Sequence, residues 1–329
     1  MPTMFDQQDQ QMNWKATFLV IIGVLFVCVI VFGILYYKNI LDRNALETDA
    51  QVTKEVLGRT IKEVTTASQF IANHPLIQQW ELNPKIIDDD DILIVLNTIK
   101  YMLGATIVYI MDTNGMVLVC TPYDDNKTLT GNNYKFRPYF LKAMDGNDYV
   151  YPALGVTTHE RGIYFSSPIY LQNNLKPVGV AVIKLHLGRF DKILKNTTNQ
   201  YIAGLISPSG IIFSSTEESW LFKSSLKLTT AEREKIMETR QFGDETLEPL
   251  GVNLSTPRVK YNNNTYFMTK ENIAVPNWKI FLMSQTNELN PLPPLLMSVI
   301  LFFIFGISYI ILAVVYGKEK RKARKEKRK

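Results

Sequence analysis

Two cationic residues in the middle of the chain have the chemistry of an anion-binding site. Arg137 lies in the segment NYKFRPYFLKAM (133–144), and Lys184 lies in the strand-like segment VAVIKLHL (180–187). A guanidinium presents a planar fork that matches a carboxylate, and a lysine ammonium supplies a point charge for a second anionic group. Side chains that could complete the site stand near them in the sequence: Tyr134, Tyr139, Thr157, Thr158, Arg161, Tyr164 and Ser166.

The two charges predict the class of ligand. Cations at opposite ends of one pocket favour a small dianion, because a monoacid would leave one buried cation unpaired. The alternative interpretation is that Arg137 and Lys184 are solvated or belong to structural ion pairs. Composition alone leaves both interpretations open.

Signatures of enzymes and of metal sites are missing from the sequence. His74, His159 and His186 lie in different segments without a Glu-x-x-His or cysteine partner, and the chain has no GxGxxG, P-loop or GxSxG motif. We therefore expect no catalytic residue, no metal and no cofactor. The functional hypothesis is one of ligand binding.

Two charge-free, mainly apolar stretches flank the region that holds these residues. Residues 16–37 and 289–317 are 22 and 29 residues long, and about 20 apolar residues in a helix span a bilayer core of about 30 Å. We predict a transmembrane helix for each stretch. The first is longer than the apolar core of a signal peptide, so we interpret it as a retained anchor.

The positive net charge of the chain comes from its last 12 residues. The tail KEKRKARKEKRK (318–329) has a net charge of +7 and the whole chain has +5, so the other 317 residues carry −2. Basic residues beside a membrane helix mark its cytoplasmic side. We expect both termini in the cytoplasm, residues 38–288 in the periplasm outside the inner membrane, and no nucleic-acid partner.

The elements that would position the site begin with helices. Apolar residues recur at helical spacing from Lys38 to about Trp80, which predicts a long amphipathic helix, ended or kinked at His74-Pro75. A second helix is predicted from about Asp88 through Leu103, because four aspartates precede an apolar run and acidic side chains suit the first turn.

Strands follow, in a pattern that occurs twice. IVYIMDTNGMVLVCT (107–121) aligns with IAGLISPSGIIFSST (202–216) at a constant offset of 95 residues. Each copy reads as a strand, a polar turn with a glycine and a second strand, and further strand-like segments follow both. We interpret the two copies as tandem modules.

The segments around Arg137 and Lys184 resemble a known family. GNNYKFRPYFLKAMDG, YVYPALGVTTHERGIYFSSPI and PVGVAVIKLHL are similar to the periplasmic sensor region of DctB-type histidine kinases, in the wider double-Cache (tandem PAS-like) family. The similarity is strongest over about residues 105–190 and extends more loosely to about 285. It implies a ligand of the succinate, fumarate or malate type and a homodimeric receptor.

The resemblance assigns binding roles to individual residues. The resemblance covers the family's Tyr-x-x-Arg-Pro-Tyr-Phe signature, its Gly-x-Thr-Thr loop, two residues of the strand after that loop and the strand lysine. It implies this set of ligand-binding residues: Tyr134, Arg137, Tyr139, Thr157, Thr158, Tyr164, Ser166 and Lys184. The sequence departs from the family in HERG (159–162), which carries more charge than the family's loop.

The predicted fold is an α+β membrane protein in which two transmembrane helices flank an extracytoplasmic double-Cache domain. That domain comprises a long N-terminal helix and two PAS-like α/β modules. The boundaries are a cytoplasmic N-terminus (1–15), a transmembrane helix (16–37), a helical lead-in (38–104), a membrane-distal ligand module (105–195), a membrane-proximal module (196–288), a transmembrane helix (289–317) and a basic tail (318–329).

The function implied by the resemblance is that of a signal-transduction receptor. Kinases of this family continue beyond the second membrane helix into catalytic domains, which this sequence lacks. We therefore expect either a truncated kinase or a kinase-less input half that acts on a separate kinase or another cytoplasmic signalling protein. Two alternatives stay open. One is a membrane scaffold with an idle pocket, and the other is a sensor for amino acids whose ammonium group would bind Asp145, Asp148 or Glu160. Repulsion between Lys184 and an ammonium disfavours the second.

Overall fold

Two compact units make up the chain. The computed structural model describes residues 4–82, 88–171, 174–197, 200–286 and 294–326. One unit is Ala45–Gln285, and the other combines Met1–Asn44 with Thr286–Lys329. The first unit contains every residue of the predicted binding site.

The N-terminal region is helical, as its periodicity predicts. Helix α1 extends over Met4–Ala72 and passes through Gly58 without a break. A new helix, α2 (Pro75–Leu82), begins at Pro75. Proline ends one helix and starts the next because it has no N–H for an interior hydrogen bond, yet its fixed φ suits a first helical turn. The predicted break at His74-Pro75 is confirmed.

The predicted second helix is α3 (Asp89–Leu103). The carboxylate of Asp88 caps it by accepting a hydrogen bond from the amide of Asp90, and it ends at Gly104, whose φ is 60°. Capping carboxylates satisfy the amides that have no partner in the first turn, and glycine adopts the left-handed conformation of a helix end at little cost. Local sequence therefore determines both ends of α3.

The first sheet contains five antiparallel strands in the order β2-β1-β5-β4-β3. Its strands and one helix are β1 (Ile107–Asp112), β2 (Val117–Cys120), α4 (Pro138–Met144), β3 (Tyr149–Leu154), β4 (Arg161–Ile169) and β5 (Gly179–His186). Strand β5 is central, which places Lys184 in the middle of the sheet.

A second sheet has the equivalent strand order, β7-β6-β10-β9-β8. Its elements are α5 (Gly188–Thr197), β6 (Ile202–Ile206), β7 (Ile212–Ser215), α6 (Thr230–Glu238), β8 (Arg258–Tyr261), β9 (Asn264–Asn272) and β10 (Lys279–Thr286). The two sheets thus repeat one topology, as the offset of 95 residues predicts.

The repeat extends to an irregularity of the backbone. The β1–β2 pairing shifts register between Ile110 and Met111, and the β6–β7 pairing shifts between Leu205 and Ile206, at positions 95 residues apart. The bulge is the same feature in both copies, so the two hairpins correspond residue for residue.

The two faces of the first sheet pack against different partners. In β1, Val108 and Ile110 belong to a core shared with α1 and α3, whereas Ile107, Tyr109 and Met111 belong to a second core on the other face, with α4. The alternation follows from the two-residue period of a strand. The predicted site residues Tyr134, Tyr139 and Tyr164 lie in the second core.

Helix α1 contains a candidate membrane span. Among the described residues, the only helix long and apolar enough to cross a membrane is its part Ile22–Ala72. This part contains an 18-residue window with a mean hydropathy of 2.2, and no residue of that window is buried. The final helix, α7, covers Pro294–Glu326. Its described apolar run, Leu301–Ile310, is shorter. The predicted span 289–317 begins outside the described residues and stays a prediction.

We expect Gly115→Ala to destabilise the first sheet strongly. Gly115 has a φ of 81°, and a Cβ there would lie 2.6 Å from main-chain atoms of Lys135, so alanine adds a clash to the backbone strain. The free energy of unfolding should fall by about 3 kcal/mol, measured by chemical denaturation of the full chain in detergent micelles.

Gly131→Ala is the matched control for this substitution. Gly131 has a φ of 84°, but a Cβ there would meet no atom within 4 Å, so the loss should be only about 1 kcal/mol. Equal losses at the two positions would show that the contact with Lys135 does not constrain the segment leading to Arg137.

Candidate functional site

The first sheet and α4 bring the two predicted cations to the same face. Arg137 is the residue before the proline that begins α4, with φ −76° and ψ 133°. A following proline favours this extended conformation. Lys184 of β5 lies directly opposite Tyr164 of β4 in the strand register. The loop 155–160, between β3 and β4, carries the two candidate threonines.

One small cavity gathers most of the predicted residues. Its volume is about 20 Å³, room for a single water molecule. No acidic side chain belongs to its lining. Seven of the eight predicted residues line it, namely Tyr134, Arg137, Tyr139, Thr157, Thr158, Tyr164 and Lys184, together with Ile107, Tyr109, Leu129, Gly155 and Val156.

Ser166 is the predicted residue that lies outside the lining. It is buried, and its hydroxyl donates to the carbonyl oxygen of Tyr139 at 2.9 Å, with the carbonyl of Tyr149 at 3.3 Å. The contact ties β4 to α4 beneath the site. Ser166 therefore holds the main chain of Tyr139 in place.

Arg137 is a buried cation with main-chain partners. Its side chain is 1 % exposed, and it donates to the carbonyl of Leu154 from Nη2 at 2.8 Å and to the carbonyl of Arg240 from Nη1 at 3.1 Å. Within the described ranges, no carboxylate forms an ion pair with it. These bonds use two of the five N–H groups of a guanidinium. The charge and the remaining donors suit an anionic ligand.

Lys184 is equally buried but has nearby carboxylates. Its Nζ donates to Thr158 Oγ1 at 2.6 Å and lies 3.9 Å from Glu160 Oε2. Burial lowers the pKa of Lys184 to about 8; Glu160 and Asp124 oppose this shift, and Arg137 adds to it. The ammonium is thus charged at neutral pH, and water does little to stabilise that charge.

Two glycines provide the space for the Lys184 side chain. A Cβ on Gly162 would lie 2.8 Å from Lys184 Cε, and a Cβ on Gly155 would lie 3.2 Å from Nζ and would also meet Thr158 Oγ1. Neither glycine has a positive φ in this structure. Their role is to allow close approach.

Hydroxyl groups surround the rest of the cavity. Tyr109 and Tyr139 share a hydrogen bond of 2.8 Å between their oxygens, and Tyr134 shares one of 2.7 Å with Thr157 Oγ1. The rings of Tyr139 and Tyr164 stack at 5.0 Å. Burial raises the pKa of the phenols of Tyr109, Tyr139 and Tyr164 above its ordinary value, so all three stay protonated and can donate.

Two tyrosines near the cations were not predicted as site residues from the sequence. Tyr109 lines the cavity, and its signal was its place on the same face of β1 as Ile107. Tyr151 is buried near Arg137, and its hydroxyl has no hydrogen-bond partner in the described part of the chain. Burial raises the pKa of Tyr151 to about 12, while Arg137 opposes the shift. No sequence pattern marks Tyr151.

Contacts with the second sheet and its connections hold both ends of the loop 155–160. At one end, the Leu154 amide donates to the carbonyl of Gln241 at 2.8 Å. At the other, Arg161 donates to the carbonyl of Phe213 at 2.8 Å and pairs with Asp191 at 3.0 Å. The predicted site residue Arg161 thus lies outside the cavity lining and links the two modules.

The histidines have local roles. His74 Nδ1 accepts a hydrogen bond from the amide of Leu76, and His186 Nδ1 accepts one from the amide of Gly188. His159 is exposed in the loop 155–160 with a φ of 53°. In the described part of the chain, no group of three or more His, Cys, Asp or Glu side chains could hold a metal ion.

Comparison of sequences identifies relatives of the chain. No protein-family model matches it. It is 26 % identical over 226 residues to the C4-dicarboxylate transport sensor protein DctB of Pseudomonas aeruginosa and 25 % identical over 203 residues to that of Rhizobium meliloti. These matches cover 67 % and 61 % of this chain. The chain spans about a third of these relatives, 35 % and 32 % of their lengths.

Solved structures with the same fold are sensor domains. The sensor domain of the histidine kinase DctB of V. cholerae matches with a TM-score of 0.67 at 19 % identity, over 77 % of this chain and 99 % of that one. The ligand-binding domain of the Pseudomonas fluorescens chemoreceptor CtaA, in complex with L-serine, matches with a TM-score of 0.54 at 18 % identity, over 75 % and 98 %. This chain is homologous to the DctB sensor proteins over the matched residues, and its two-sheet unit has the fold of a DctB sensor domain.

Proposed function

We propose that this chain is the input part of a membrane receptor and that the cavity between Arg137 and Lys184 binds a small dicarboxylate of the C4 type. The observation that carries the proposal is the presence of two buried cations in one cavity whose lining includes no acidic residue. A buried charge is costly unless an opposite charge compensates it. A dianion would compensate both charges at once.

In this proposal Arg137 and Lys184, which line the same cavity, each bind one carboxylate of the ligand. Arg137 donates two of its N–H groups to the carbonyls of Leu154 and Arg240. Its remaining N–H groups would bind one carboxylate of the ligand. Lys184 would bind the other, and the hydroxyl groups of Tyr134 and Tyr164 would donate to the remaining oxygens. Arginine and lysine are not interchangeable here, because only arginine offers a fork.

Binding requires the loop 155–160 to move. A cavity of about 20 Å³ has room for one water molecule, far less than a four-carbon diacid needs. The hydrogen bonds Tyr134–Thr157 and Lys184–Thr158 hold the loop over the cavity. A ligand would replace these contacts with its own, so its affinity depends on the position of the loop.

The contacts at both ends of the loop provide a route to the second module. Movement of Leu154 acts on Gln241, and movement of Arg161 acts on Phe213, just after the start of β7. We propose that the signal continues through the second module into transmembrane helices of a homodimer in the inner membrane. In this proposal residues 38–288 are periplasmic, both termini are cytoplasmic, and a separate kinase or other signalling protein receives the signal.

An amino-acid ligand is the second candidate. Glu160 Oε2 lies 3.9 Å from Lys184 Nζ, so a carboxylate that could bind an ammonium stands at the lysine end of the site. The structural neighbour CtaA was solved with L-serine. We rank this candidate second because the lining of the cavity includes Lys184 and does not include Glu160.

We expect dicarboxylates to stabilise the protein against thermal unfolding. For the full chain in detergent micelles, succinate, fumarate or malate at 100 times its dissociation constant should raise the free energy of unfolding by about 2.7 kcal/mol and the Tm by about 2–4 °C. Acetate and L-serine serve as comparison ligands. A shift with L-serine alone would favour the amino-acid candidate, and no shift with any of them would favour an idle pocket.

Arg137→Gln should abolish this stabilisation, because glutamine has neither the charge nor the fork. The matched control is Arg189→Gln. Arg189 donates to the carbonyl of Leu103 and lies 3.6 Å from Glu63, away from the cavity. The control should keep the full shift. The Tm of each variant without ligand establishes that it is folded, and an unchanged shift in folded Arg137→Gln contradicts the proposed site.

Dicarboxylate affinity should fall as the pH rises through the pKa of Lys184. That pKa is about 8 because burial disfavours the charged form, and a dianion favours the charged form, so binding takes up a proton. Between pH 7 and pH 9 the affinity should drop about tenfold, measured by isothermal titration calorimetry. Lys184→Met should bind more weakly with a flat profile over this range. A flat profile for the unchanged protein would mean that Lys184 does not bind ligand.

A further inference from the structure

Glu160 is the acidic residue that stands at the lysine end of the cavity. Its side chain is 39 % exposed, whereas that of Lys184 is 1 % exposed, and the pair is separated by 3.9 Å. This distance is at the long limit of an ion pair. The shorter contact of the ammonium is the bond of 2.6 Å to Thr158.

The backbone of the loop holds Glu160 in this position. The amide of Gly155 donates to the carbonyl of Glu160 at 3.0 Å, and the amide of His159 donates to the carbonyl of Gly155 at 2.8 Å. The two bonds close the loop on itself at its base. Thr158 and Glu160 therefore reach Lys184 from one compact loop, the same loop that must move for a ligand to enter.

We propose that Glu160 is an internal competitor of the ligand, whose carboxylate occupies the charge of Lys184 until a ligand carboxylate replaces it. This inference rests on the proposed function. Glu160 would determine how tightly the receptor binds its dicarboxylate. Glu160 weakens the binding of a dianion in two ways. It compensates Lys184 when no ligand is bound, and it repels an incoming carboxylate.

The carboxylate of Glu160 is not needed to bind a dianion, but it has a role when no ligand is bound. A buried lysine without a partner is unfavourable, so the loop gains stability by closing on Lys184 with Glu160 nearby. Because Glu160 is partly exposed and distant, that gain is small. A ligand carboxylate at hydrogen-bond distance from Lys184 would stabilise the ammonium more than Glu160 does. The ligand would therefore displace Glu160.

The test is Glu160→Gln in the full chain, with succinate titrated by calorimetry at pH 6.5, which is below the Lys184 pKa of about 8. Glutamine keeps the size of the side chain and removes its charge. Succinate should bind about fivefold more tightly to the variant, as expected for removing one partly screened negative charge near a ligand carboxylate. Unchanged or weaker binding of succinate to the folded variant overturns the inference.

A monoamide of succinate separates the two ends of the site. This probe keeps one carboxylate for Arg137 and presents a neutral amide to Lys184, so its affinity should change less than twofold on Glu160→Gln. An equal gain for both probes would indicate a general loosening of the loop and would overturn the inference. Glu63→Gln, which removes an exposed carboxylate 3.6 Å from Arg189, is the matched control and should leave both affinities unchanged.

Failure of the proposed function gives a different result. If neither protein binds succinate or its monoamide, the dicarboxylate site itself is refuted. If L-serine binds the unchanged protein and Glu160→Gln abolishes that binding, Glu160 is a ligand for an ammonium, which overturns its role as a competitor. Binding of succinate by the variant alone supports the inference in its strongest form.

Discussion

The burial of two positive charges on one face of a sheet is the constraint on which the rest of the site depends. Arg137 and Lys184 are each 1 % exposed, and neither is balanced by an acidic residue in the cavity lining. Main-chain carbonyls accept hydrogen bonds from the guanidinium. Thr158 accepts a hydrogen bond from the ammonium, and the carboxylate of Glu160 lies 3.9 Å from it. The glycines, the tyrosines and the loop 155–160 surround these two buried charges.

Sequence reasoning succeeded where the pattern is local or periodic. The cap at Asp88, the break before Pro75 and the repeated hairpins follow from the preferences of neighbouring residues. It fell short where a role depends on which atom a side chain meets across the fold. Ser166 was assigned to the ligand but bonds the Tyr139 main chain. The unpaired hydroxyl of Tyr151 could not be foreseen, since no spacing rule reports burial.

The relatives and structural neighbours of this chain differ in the ligands that they are named for or were solved with. The DctB relatives are named as C4-dicarboxylate transport sensors, whereas a chemoreceptor domain of the same fold was solved with an amino acid. Fold likeness therefore does not distinguish the two. The difference lies in the charge balance around Lys184, where one carboxylate is close enough to interact but does not line the cavity. That carboxylate belongs to Glu160, in the segment HERG (159–162).

The bond between Arg137 and the carbonyl of Arg240 has a consequence for biosynthesis. The two residues are 103 positions apart, and the partner belongs to the segment after α6. The first sheet can therefore form on the ribosome before its arginine has all its acceptors. The cavity around Arg137 is therefore complete only after the segment that follows α6 has been synthesised and has folded against the first sheet.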